Sequence, residues 1–514
     1  MYCIFHLLGC VDSAYYFVIF RLFFHLEVCA CYNLLCYSLC LFYYLCANKI
    51  DMTLIKSISG IRGTIGGLSG DNLTPIDMVK FTAAFVCFIR KSGVQRPVVV
   101  VGRDARMSGL MTNQIVCGTL QAMGADVIDI GLSTTPTVEI AVPALKADAG
   151  IILTASHNPA QWNALKLLNA KGEFISAADG KWLLEAVDND DFEFAAIDAI
   201  GTYQVQDGWM QRHVEMVMKL PLVKRDVIEE AGFKVAVDAV NSTGGIAIPM
   251  MLKALGVKEV LELNCEPTGD FAHTPEPLAQ NLTEICGFVK QHGCDFGVVV
   301  DPDVDRLVFV KEDGELFGEE YTLVSVADYI LRHTPGATVS NLSSTRALRD
   351  VTHGHGQQYY AAAVGEVNVV EKMKEVNAVI GGEGNGGVIY PELHYGRDAL
   401  VGTALFLTQL AEKKVSCSSL RGEYPDYAMS KNKIELTPDT DVDAILARFA
   451  DKYKTEDVTT IDGVKIDFES GWVHLRKSNT EPIIRIYSEG KTAEEAESLA
   501  AMILNEARIM VGDQ

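Results

Sequence analysis

The stretch that decides the fold is GIILTASHNP, which occupies residues 150–159. Its apolar first half predicts a buried β-strand, and the small and polar residues that follow predict a stiff turn at the exit of that strand. Open α/β sheets bind their ligands just outside the carboxyl ends of their strands, so we expect the Ser156 hydroxyl at a binding site. Serine reacts only when its surroundings activate it or when it carries a transferable group. Both possibilities fit this stretch.

The pattern on either side alternates strands with helices. Further strands are predicted by apolar runs at 97–102, 125–130, 234–238, 296–300 and 378–380. Helices are predicted by the spacing at 108–123, 244–255 and 399–413. Such alternation is typical of parallel or mixed sheets that are covered by helices on both faces.

The pattern changes from about residue 427. A helix is followed by predicted strands at 463–468, 472–476 and 483–488 and by a helix from Thr492. We therefore predict an α/β fold of three similar mixed-sheet domains with a smaller C-terminal α+β domain.

Composition limits the classes of function. A chain of 514 residues is too long for one core, and its 49% apolar and 22% charged residues are typical of a globular protein. Its net charge of −23 disfavours nucleic acid as a partner. A small phosphorylated substrate stays possible, because a few arginines in one cleft can outweigh a distant acidic surface.

Residues 1–51 differ from the rest, with seven cysteines and few charged residues. We expect this segment to lie outside the fold, as an extension ahead of a start at Met52, so that a membrane contact is not expected. A membrane anchor across 29–47 is the alternative, and the segment fits a secretory signal poorly. The later cysteines are widely spaced without a C-x-x-C motif, which is typical of reduced thiols in a cytoplasmic enzyme.

A second motif, DPDVDR at 301–306, directly follows a predicted strand. Alternate residues of an extended segment share a face, so Asp301, Asp303 and Asp305 can converge on one hard cation. Oxygen-only ligands suit Mg²⁺. The alternative is a solvated acidic loop, which would leave three like charges beside a buried strand.

A third motif, GGEGNGG at 381–387, formally contains G-x-G-x-x-G. A dinucleotide site would need a helix next, whereas VIYP at 388–391 is strand-like and ends in proline. Glycines around Glu383 and Asn385 suit sugar hydroxyls better. A plain glycine turn is the alternative.

A fourth motif, RKSNTEP at 476–482 with Arg485 nearby, combines cations, hydroxyls and turn amides that suit a phosphate dianion. An ordinary polar hairpin is the alternative. Near the start, Arg62 and Arg103 are expected in glycine-flanked loops at strand ends, where Arg103 could instead pair with Asp104. Lys166 lies close enough to Ser156 in sequence to return to the same pocket.

Together these motifs resemble the α-D-phosphohexomutase family from Met52 to the C-terminus. The resemblance implies four domains around a central cleft, here 52–205, 206–312, 313–426 and 427–514. It implies that Ser156 is a phosphoserine and, with Asp301, Asp303 and Asp305, holds Mg²⁺. It also implies that Glu383 and Asn385 contact the sugar. The residues expected to bind the non-reacting phosphate are Arg476, Ser478, Asn479, Thr480 and Arg485. Those expected around the transferred phosphoryl group are Arg62, Arg306, His157 and Lys166.

The reaction implied by the resemblance is phosphoryl transfer from Ser156 to a hexose monophosphate. The bound hexose 1,6-bisphosphate then returns its other phosphate to the serine. Lys166 is the expected general base, because burial beside cations would lower its pKa. His157 is the alternative base, or it orients the loop instead, and the terminal domain is expected to close over the substrate.

The sugar is less clearly indicated. The VGEVNV run at 364–369 and the 381–387 loop most resemble archaeal-type phosphoglucosamine mutases. Phosphomannomutase/phosphoglucomutase is the alternative, and a Mg²⁺-dependent sugar phosphatase is the alternative from another class. A non-catalytic sugar-phosphate binding protein is a third. A small-molecule sugar phosphate is the expected partner of a monomer or dimer.

Overall fold

A computed structural model describes residues 52–57, 60–190, 192–436, 440–477 and 483–512. The predictions for 1–51 lie outside these residues. No helix in the described ranges is both long and apolar enough to cross a membrane. Cys117, Cys294 and Cys417 are buried thiols. The described residues form four domains.

The first domain is built on a mixed sheet of order β1-β2-β6-β5-β3-β4-β7. Its strands are β1 (Ile55–Ser57), β2 (Gly60–Thr64), β3 (Val98–Arg103), β4 (Asp126–Leu132), β5 (Ala149–Leu153), β6 (Trp162–Leu168) and β7 (Tyr203–Val205). Its helices are α1 (Pro75–Arg90), α2 (Gly109–Ala122), α3 (Thr135–Ala144) and α4 (Ala177–Asn189). Strands β5, β3, β4 and β7 are parallel neighbours, whereas β6, β2 and β1 follow as antiparallel neighbours. The strands and helix predicted here are confirmed, but β6, which carries Lys166, was not predicted.

The second domain has a mixed sheet of order β11-β10-β8-β9. Its strands are β8 (Lys234–Asp238), β9 (Glu259–Leu263), β10 (Phe296–Val300) and β11 (Leu307–Lys311), and its helices are α5 (Trp209–Val217), α6 (Arg225–Ala231), α7 (Gly244–Ala254) and α8 (Thr283–His292). The antiparallel pair β10 and β11 is joined by the acidic motif. The motif is therefore held at both ends by a buried sheet.

The third domain has a mixed sheet of order β13-β12-β14-β15. Its strands are β12 (Thr338–Asn341), β13 (Tyr359–Ala362), β14 (Ile380–Glu383) and β15 (Gly387–Ile389). Its helices are α9 (Glu319–His333), α10 (Arg346–Gly354), α11 (Glu366–Val376), α12 (Ala399–Lys413) and α13 (Cys417–Arg421). The strand predicted at 378–380 begins later and continues through Glu383. Since β15 returns antiparallel to β14, the glycine-rich motif is a hairpin turn, which excludes the strand–helix geometry of a dinucleotide site.

The fourth domain has an antiparallel sheet of order β16-β20-β19-β18-β17. Its strands are β16 (Ala428–Glu435), β17 (Asp457–Thr459), β18 (Val464–Asp467), β19 (Gly471–Lys477) and β20 (Ile483–Gly490), and its helices are α14 (Val442–Lys452) and α15 (Ala493–Gly512). The predicted change from α/β units to a C-terminal α+β domain is confirmed.

The second and third domains share one apolar core. Phe309 of β11 stacks on Phe406 of α12 with ring centroids 3.7 Å apart, and Phe296 and Phe317 pack edge-on against Phe406. Helix α12 is buried along nearly its whole length, which explains its apolar sequence. A shared, close-packed core resists relative displacement, so the acidic motif and the glycine-rich hairpin are held in a fixed relation.

Candidate active site

Ser156 lies in the loop between β5 and β6, where it is buried. Its φ of +48° is left-handed, a conformation that a residue with a side chain adopts only when its surroundings impose it. The Ser156 N–H donates to the Thr154 hydroxyl at 2.9 Å. The hydroxyl of Ser156 donates to Asp301 Oδ2 of the second domain at 2.6 Å. The predicted serine and the predicted metal ligand are thus direct neighbours.

Arg106 holds the serine loop through its guanidinium, a role that was not predicted from the sequence. Its guanidinium donates to the carbonyls of Ser156 and Asn158 through Nη2, and to those of Pro159 and Trp162 through Nη1. Four carbonyls bound by one buried cation fix the path of the loop. Arginine suits this task because its planar fork presents several donors in fixed directions.

The alternative prediction that Arg103 pairs with Asp104 is wrong, because Asp104 pairs with another arginine. Asp104 pairs with Arg106, Nε to Oδ2, at 3.0 Å, whereas Arg103 donates to the Asp104 carbonyl. The Asp104 carboxylate also accepts from the Thr154 hydroxyl at 2.6 Å. Burial raises the pKa of Asp104, although the Arg106 charge opposes this effect. A spacing of two residues lets both side chains lie under the same loop, which the adjacent pair does not.

The acidic motif converges through a turn rather than through the extended segment that was expected. Val304 has a φ of +65°, and the N–H groups of Asp305 and Arg306 donate to Asp301 Oδ1 at 3.2 and 3.1 Å. The loop therefore wraps around its first carboxylate. A left-handed, β-branched valine is strained, and such strain is frequent at functional sites.

The three carboxylates could hold a cation. Asp301, Asp303 and Asp305 are fully buried and offer ligand oxygens within 4.8 Å of one another. In the described part of the chain, Oδ1 of Asp303 and Oδ1 of Asp305 have no hydrogen-bond partner. Burial, followed by the Asp305 and Asp303 charges, raises the pKa of Asp301 well above its ordinary value. Unpartnered buried oxygens and like charges are what a divalent cation would relieve.

Lys166 reaches this cluster from β6. Its ammonium donates to Asp303 Oδ2 at 2.6 Å and lies 3.4 Å from Asp305 Oδ2. Burial alone would lower the pKa of Lys166, but the two aspartates outweigh burial and raise it. The expected lowering is therefore wrong, because carboxylates and not cations are the nearest neighbours.

His157 lies on the other side of Ser156, with its Nδ1 3.4 Å from the serine hydroxyl. Burial and the charges of Arg306 and Arg62 lower its pKa well below the ordinary value, so its imidazole is neutral. Arg62 donates to the Asn158 side chain at 3.4 Å and lies within β2, not in the loop that was predicted. Burial and then the Arg306 charge lower the pKa of Arg62.

Glu383 and Asn385 lie on the hairpin of the third domain. Glu383 accepts from the Asn341 amide at 2.8 Å and from the Gly365 N–H at 3.2 Å. Asn385 Oδ1 accepts from the Gly387 N–H at 3.3 Å. One hydrogen bond within the hairpin and two to neighbouring segments therefore hold it in place.

Arg397 joins the hairpin to the acidic loop, and sequence reasoning missed it. It donates to Asp305 Oδ2 at 2.7 Å, to Glu383 Oε2 at 2.9 Å and to Glu366 Oε2 at 3.0 Å. Burial alone would lower its pKa, but these carboxylates outweigh burial and raise it well above the ordinary value. Its position before Asp398, the N-cap of α12, resembles an ordinary helix start, so no sequence signal distinguished it.

The phosphate-binding motif begins at the end of β19, and Ser478, Asn479 and Thr480 lie outside the described residues. Arg476 of β19 is directly opposite Arg485 of β20. Burial lowers the pKa of Arg476; the Asp462 charge opposes this effect, and the Arg485 charge adds to it. Two guanidiniums that lie opposite each other on neighbouring strands form a cationic patch that suits an anion.

The fourth domain contacts the third beside this pair. The His474 imidazole bonds the Ser343 hydroxyl at 2.9 Å and the Asp462 carbonyl at 2.7 Å. Burial lowers the pKa of His474 to about 4. Arg346 donates to Asp467 at 2.8 Å. These contacts connect the arginine pair to the hairpin domain.

Sequence profiles of one family match in order along the chain. They are described as phosphoglucomutase/phosphomannomutase alpha/beta/alpha domains I, II and III and C-terminal domain, and they match residues 54–194, 211–314, 318–427 and 432–506.

Individual proteins give the same result. A phosphoglucomutase/phosphomannomutase of Thermococcus kodakarensis is 36% identical over 454 residues, which is 87% of this chain and 98% of that protein. A probable phosphoglucosamine mutase of Methanopyrus kandleri is 32% identical over 447 residues, 86% of this chain and 95% of that protein. The crystal structure of a phosphoglucomutase/phosphomannomutase family protein of Burkholderia thailandensis superposes with a TM-score of 0.76 at 26% identity, covering 89% of this chain and 98% of that one.

Proposed function

The chain belongs to the phosphoglucomutase/phosphomannomutase family, a family of phosphohexomutase isomerases, and we propose that it interconverts a hexose 6-phosphate and a hexose 1-phosphate. Ser156 would carry the phosphoryl group, with a hexose 1,6-bisphosphate as intermediate. The observation that carries the proposal is the Ser156 hydroxyl 2.6 Å from Asp301, beside a buried aspartate cluster in which two oxygens have no hydrogen-bond partner among the described residues.

The metal we propose is Mg²⁺, held by Asp301, Asp303, Asp305 and the group on Ser156. When bound, it would supply a positive charge that stabilises the transferring phosphoryl group. Hard carboxylate oxygens and a phosphate suit Mg²⁺ better than softer metals.

The protein's own residues would then position the reactants. Arg106 holds the serine loop, and Arg62 and Arg306 present guanidiniums to the phosphoryl oxygens. Among the described residues, the buried Nε of Arg306 has no hydrogen-bond partner, so it is available for an anion. Fixed donors around the developing charge are the main source of rate enhancement in phosphoryl transfer.

The proton of the attacking hexose hydroxyl needs an acceptor, and we propose Lys166 for that role on the basis of its position. A cation bound by Asp303 and Asp305 would offset the carboxylate charges that raise the pKa of Lys166, so that its amine could accept the proton. Lys166 Nζ also lies 3.5 Å from the Thr135 hydroxyl, which in turn donates to Asp303. His157 would orient the serine loop. Separate Lys166→Ala and His157→Gln variants test this division, since only the loss of the base should remove a limb of the pH–rate profile.

The far end of the substrate would be gripped by the fourth domain. Arg476 and Arg485 would bind the non-reacting phosphate together with Ser478, Asn479 and Thr480. Closure of this domain over the hexose would exclude water, without which the phosphoserine would be lost to hydrolysis.

The hexose we propose is glucosamine 6-phosphate, with glucosamine 1-phosphate as product. The support is the similarity to a probable phosphoglucosamine mutase of Methanopyrus kandleri, together with the Glu383 carboxylate on the proposed sugar-binding hairpin, whose charge suits an ammonium on the sugar. Phosphomannomutase/phosphoglucomutase is the second candidate, because the relative from Thermococcus kodakarensis has that name.

The deciding experiment measures phosphate on the purified protein by intact mass and then assays isomerisation of glucosamine, glucose and mannose 6-phosphates. Ser156→Ala should lose both the phosphate and isomerisation, whereas Ser325→Ala, a buried serine bonded to Gln409, should keep both. Isomerisation by Ser156→Ala would overturn the mechanism. Release of inorganic phosphate without isomerisation would instead identify a sugar phosphatase.

Equal turnover of the three hexose 6-phosphates would support the proposed isomerisation but contradict glucosamine 6-phosphate as the specific substrate. The buried thiols favour a reducing compartment, so we propose a cytoplasmic enzyme, acting as a monomer or dimer. Its partner would be a small sugar phosphate and not a nucleic acid.

A further inference from the structure

Arg397 is a buried cation to which the proposed reaction assigns no role. Its side-chain nitrogens each donate to a different carboxylate, those of Asp305, Glu366 and Glu383. Its backbone N–H donates to Glu366 as well, at 3.0 Å. Each of the three guanidinium nitrogens therefore donates to a carboxylate.

The three carboxylates come from three separate segments of the fold. Asp305 follows β10 in the acidic loop, Glu366 begins α11, and Glu383 ends β14. Buried carboxylates that share a site repel one another. A planar guanidinium can satisfy three of them at once, which the single ammonium of a lysine cannot do with the same geometry.

The orientation of each carboxylate depends on this contact. Asp305 uses Oδ2 for Arg397 and Lys166, whereas its Oδ1 is unpartnered within the described residues. Glu383 uses Oε2 for Arg397, while Oε1 accepts from Asn341 and Gly365. One side chain thus orients a cation ligand and a sugar ligand together.

The hairpin is shaped to fit the arginine stem. A Cβ added at Gly387 would lie 2.3 Å from Cδ of Arg397, closer than two such atoms can approach. The backbone of the hairpin therefore closes directly on Arg397. The position of the sugar loop and the position of this side chain depend on each other.

We propose that Arg397 is a positioning residue that sets the sugar-binding hairpin relative to the acidic loop, and thereby places the hexose hydroxyl opposite Ser156. This inference rests on the proposed function, in which Glu383 and Asn385 contact the hexose. Arg397 acts through Glu383 and Asp305 and does not itself touch the reacting atoms.

The test uses the full chain in a Ser156→Ala background, so that binding is measured without turnover. Calorimetry gives the Kd for glucosamine 6-phosphate and for glucose 6-phosphate in Arg397→Gln, Arg397→Lys, Glu383→Gln and the Arg397→Gln/Glu383→Gln double variant. Arg421→Gln is the matched control, because Arg421 bonds the Phe317 carbonyl and Asp426 in the same domain away from the site.

Arg397→Gln should raise Kd at least tenfold. The Kd of Arg397→Lys should lie within threefold of the Kd of Arg397→Gln, because a positive charge without the planar guanidinium does not restore the position of the hairpin. The double variant should bind within twofold of Arg397→Gln, since both changes interrupt one route. Arg421→Gln should bind like the parent. Wild-type affinity in Arg397→Lys, or effects of the two single changes that multiply in the double variant, would overturn the proposal.

Hydrogen exchange of residues 381–389 supplies a readout that needs no ligand. Exchange should be at least tenfold faster in Arg397→Lys and Arg397→Gln and unchanged in Arg421→Gln. If the Ser156→Ala protein binds neither sugar phosphate, the proposed function fails, and the exchange result still decides whether Arg397 positions the hairpin. Unchanged exchange of residues 381–389 in both Arg397 variants would refute the proposal that Arg397 positions the hairpin.

Discussion

Arg106→Lys should loosen the serine loop selectively. The substitution keeps a positive charge beside Asp104 but removes the planar fork that binds the carbonyls of Ser156, Asn158, Pro159 and Trp162. The ammonium of lysine carries its three donors on one nitrogen atom, so it cannot reach acceptors that are as widely spaced as those of a guanidinium. With one donor directed to Asp104, at least two of the four carbonyls lose their partner.

The size of the effect follows from those lost bonds. A hydrogen bond from a charged group contributes about 1.5–3 kcal/mol, so two lost bonds amount to about 3 kcal/mol at the lower end. Local opening of the loop should then be about 100-fold more frequent, because each 1.4 kcal/mol is about a factor of ten. The left-handed Ser156 is the residue most affected, since its strained conformation depends on this support.

Hydrogen exchange followed by mass spectrometry over residues 150–168 measures the opening directly, and it avoids assuming that a four-domain chain unfolds in one step. Arg103→Lys is the control, because among the described residues the Arg103 side chain donates to the Asp104 carbonyl and to none of the carbonyls of the serine loop. Exchange in Arg106→Lys within threefold of the wild-type rate would show that the guanidinium does not hold the loop, and the reasoning would fail.

Three further predictions concern other parts of the site. Because the folded-state pKa of His474 is about 4, below the ordinary value of about 6.5, the unfolded state binds more protons between those values. The free energy of opening the fourth domain should therefore fall by up to about 1.4 kcal/mol per pH unit as the pH drops through this window. His474→Asn should show a smaller fall when hydrogen exchange of residues 471–477, corrected for intrinsic exchange rates, is compared at pH 7.5 and pH 5. An added Cβ at Gly384 would lie 1.9 Å from Glu320 Oε2, so Gly384→Ala should lower the Tm and raise KM. Gly118 is the control, because a Cβ there would lie in open space on a helix. Gly118→Ala should stabilise the protein by up to about 1 kcal/mol without changing kcat or KM. Chelation of divalent cations should abolish isomerisation and Mg²⁺ should restore it, whereas activity that survives exhaustive chelation would remove the role of the Asp301 cluster.

The parts of the site that could be predicted are those that directly follow an apolar run. Ser156 after β5 and the aspartates after β10 lie at strand ends, where the change from apolar to polar residues is visible in the sequence. The rule that ligands bind at the carboxyl ends of strands predicts a binding site at each of these two strand ends, whereas their contact across two domains was implied only by the family resemblance. The glycine-rich motif could be distinguished from a dinucleotide-binding motif because apolar residues and a proline follow it where a helix would be needed.

The parts that could not be predicted depend on contacts between domains. The Lys166 charge environment was predicted with the wrong sign because its neighbours, Asp303 and Asp305, are over 130 positions away. Arg397 has the local appearance of a helix start, and its three partners lie on different segments. The turn at Val304 was read as extended because alternating aspartates are compatible with both conformations.

The distribution of cations explains how an acidic protein could accept a doubly phosphorylated intermediate. The chain carries a net charge of −23, yet guanidiniums stand in like-charged pairs at two places. Arg62 with Arg306 lies beside Ser156, and Arg476 with Arg485 lies on the fourth domain; in each pair one guanidinium lowers the pKa of the other, after the larger effect of burial. An anion placed between two partly buried like charges would relieve their repulsion. Because both ends present the same kind of receptor, a hexose 1,6-bisphosphate would fit in either orientation, which is what returning its other phosphate to Ser156 requires.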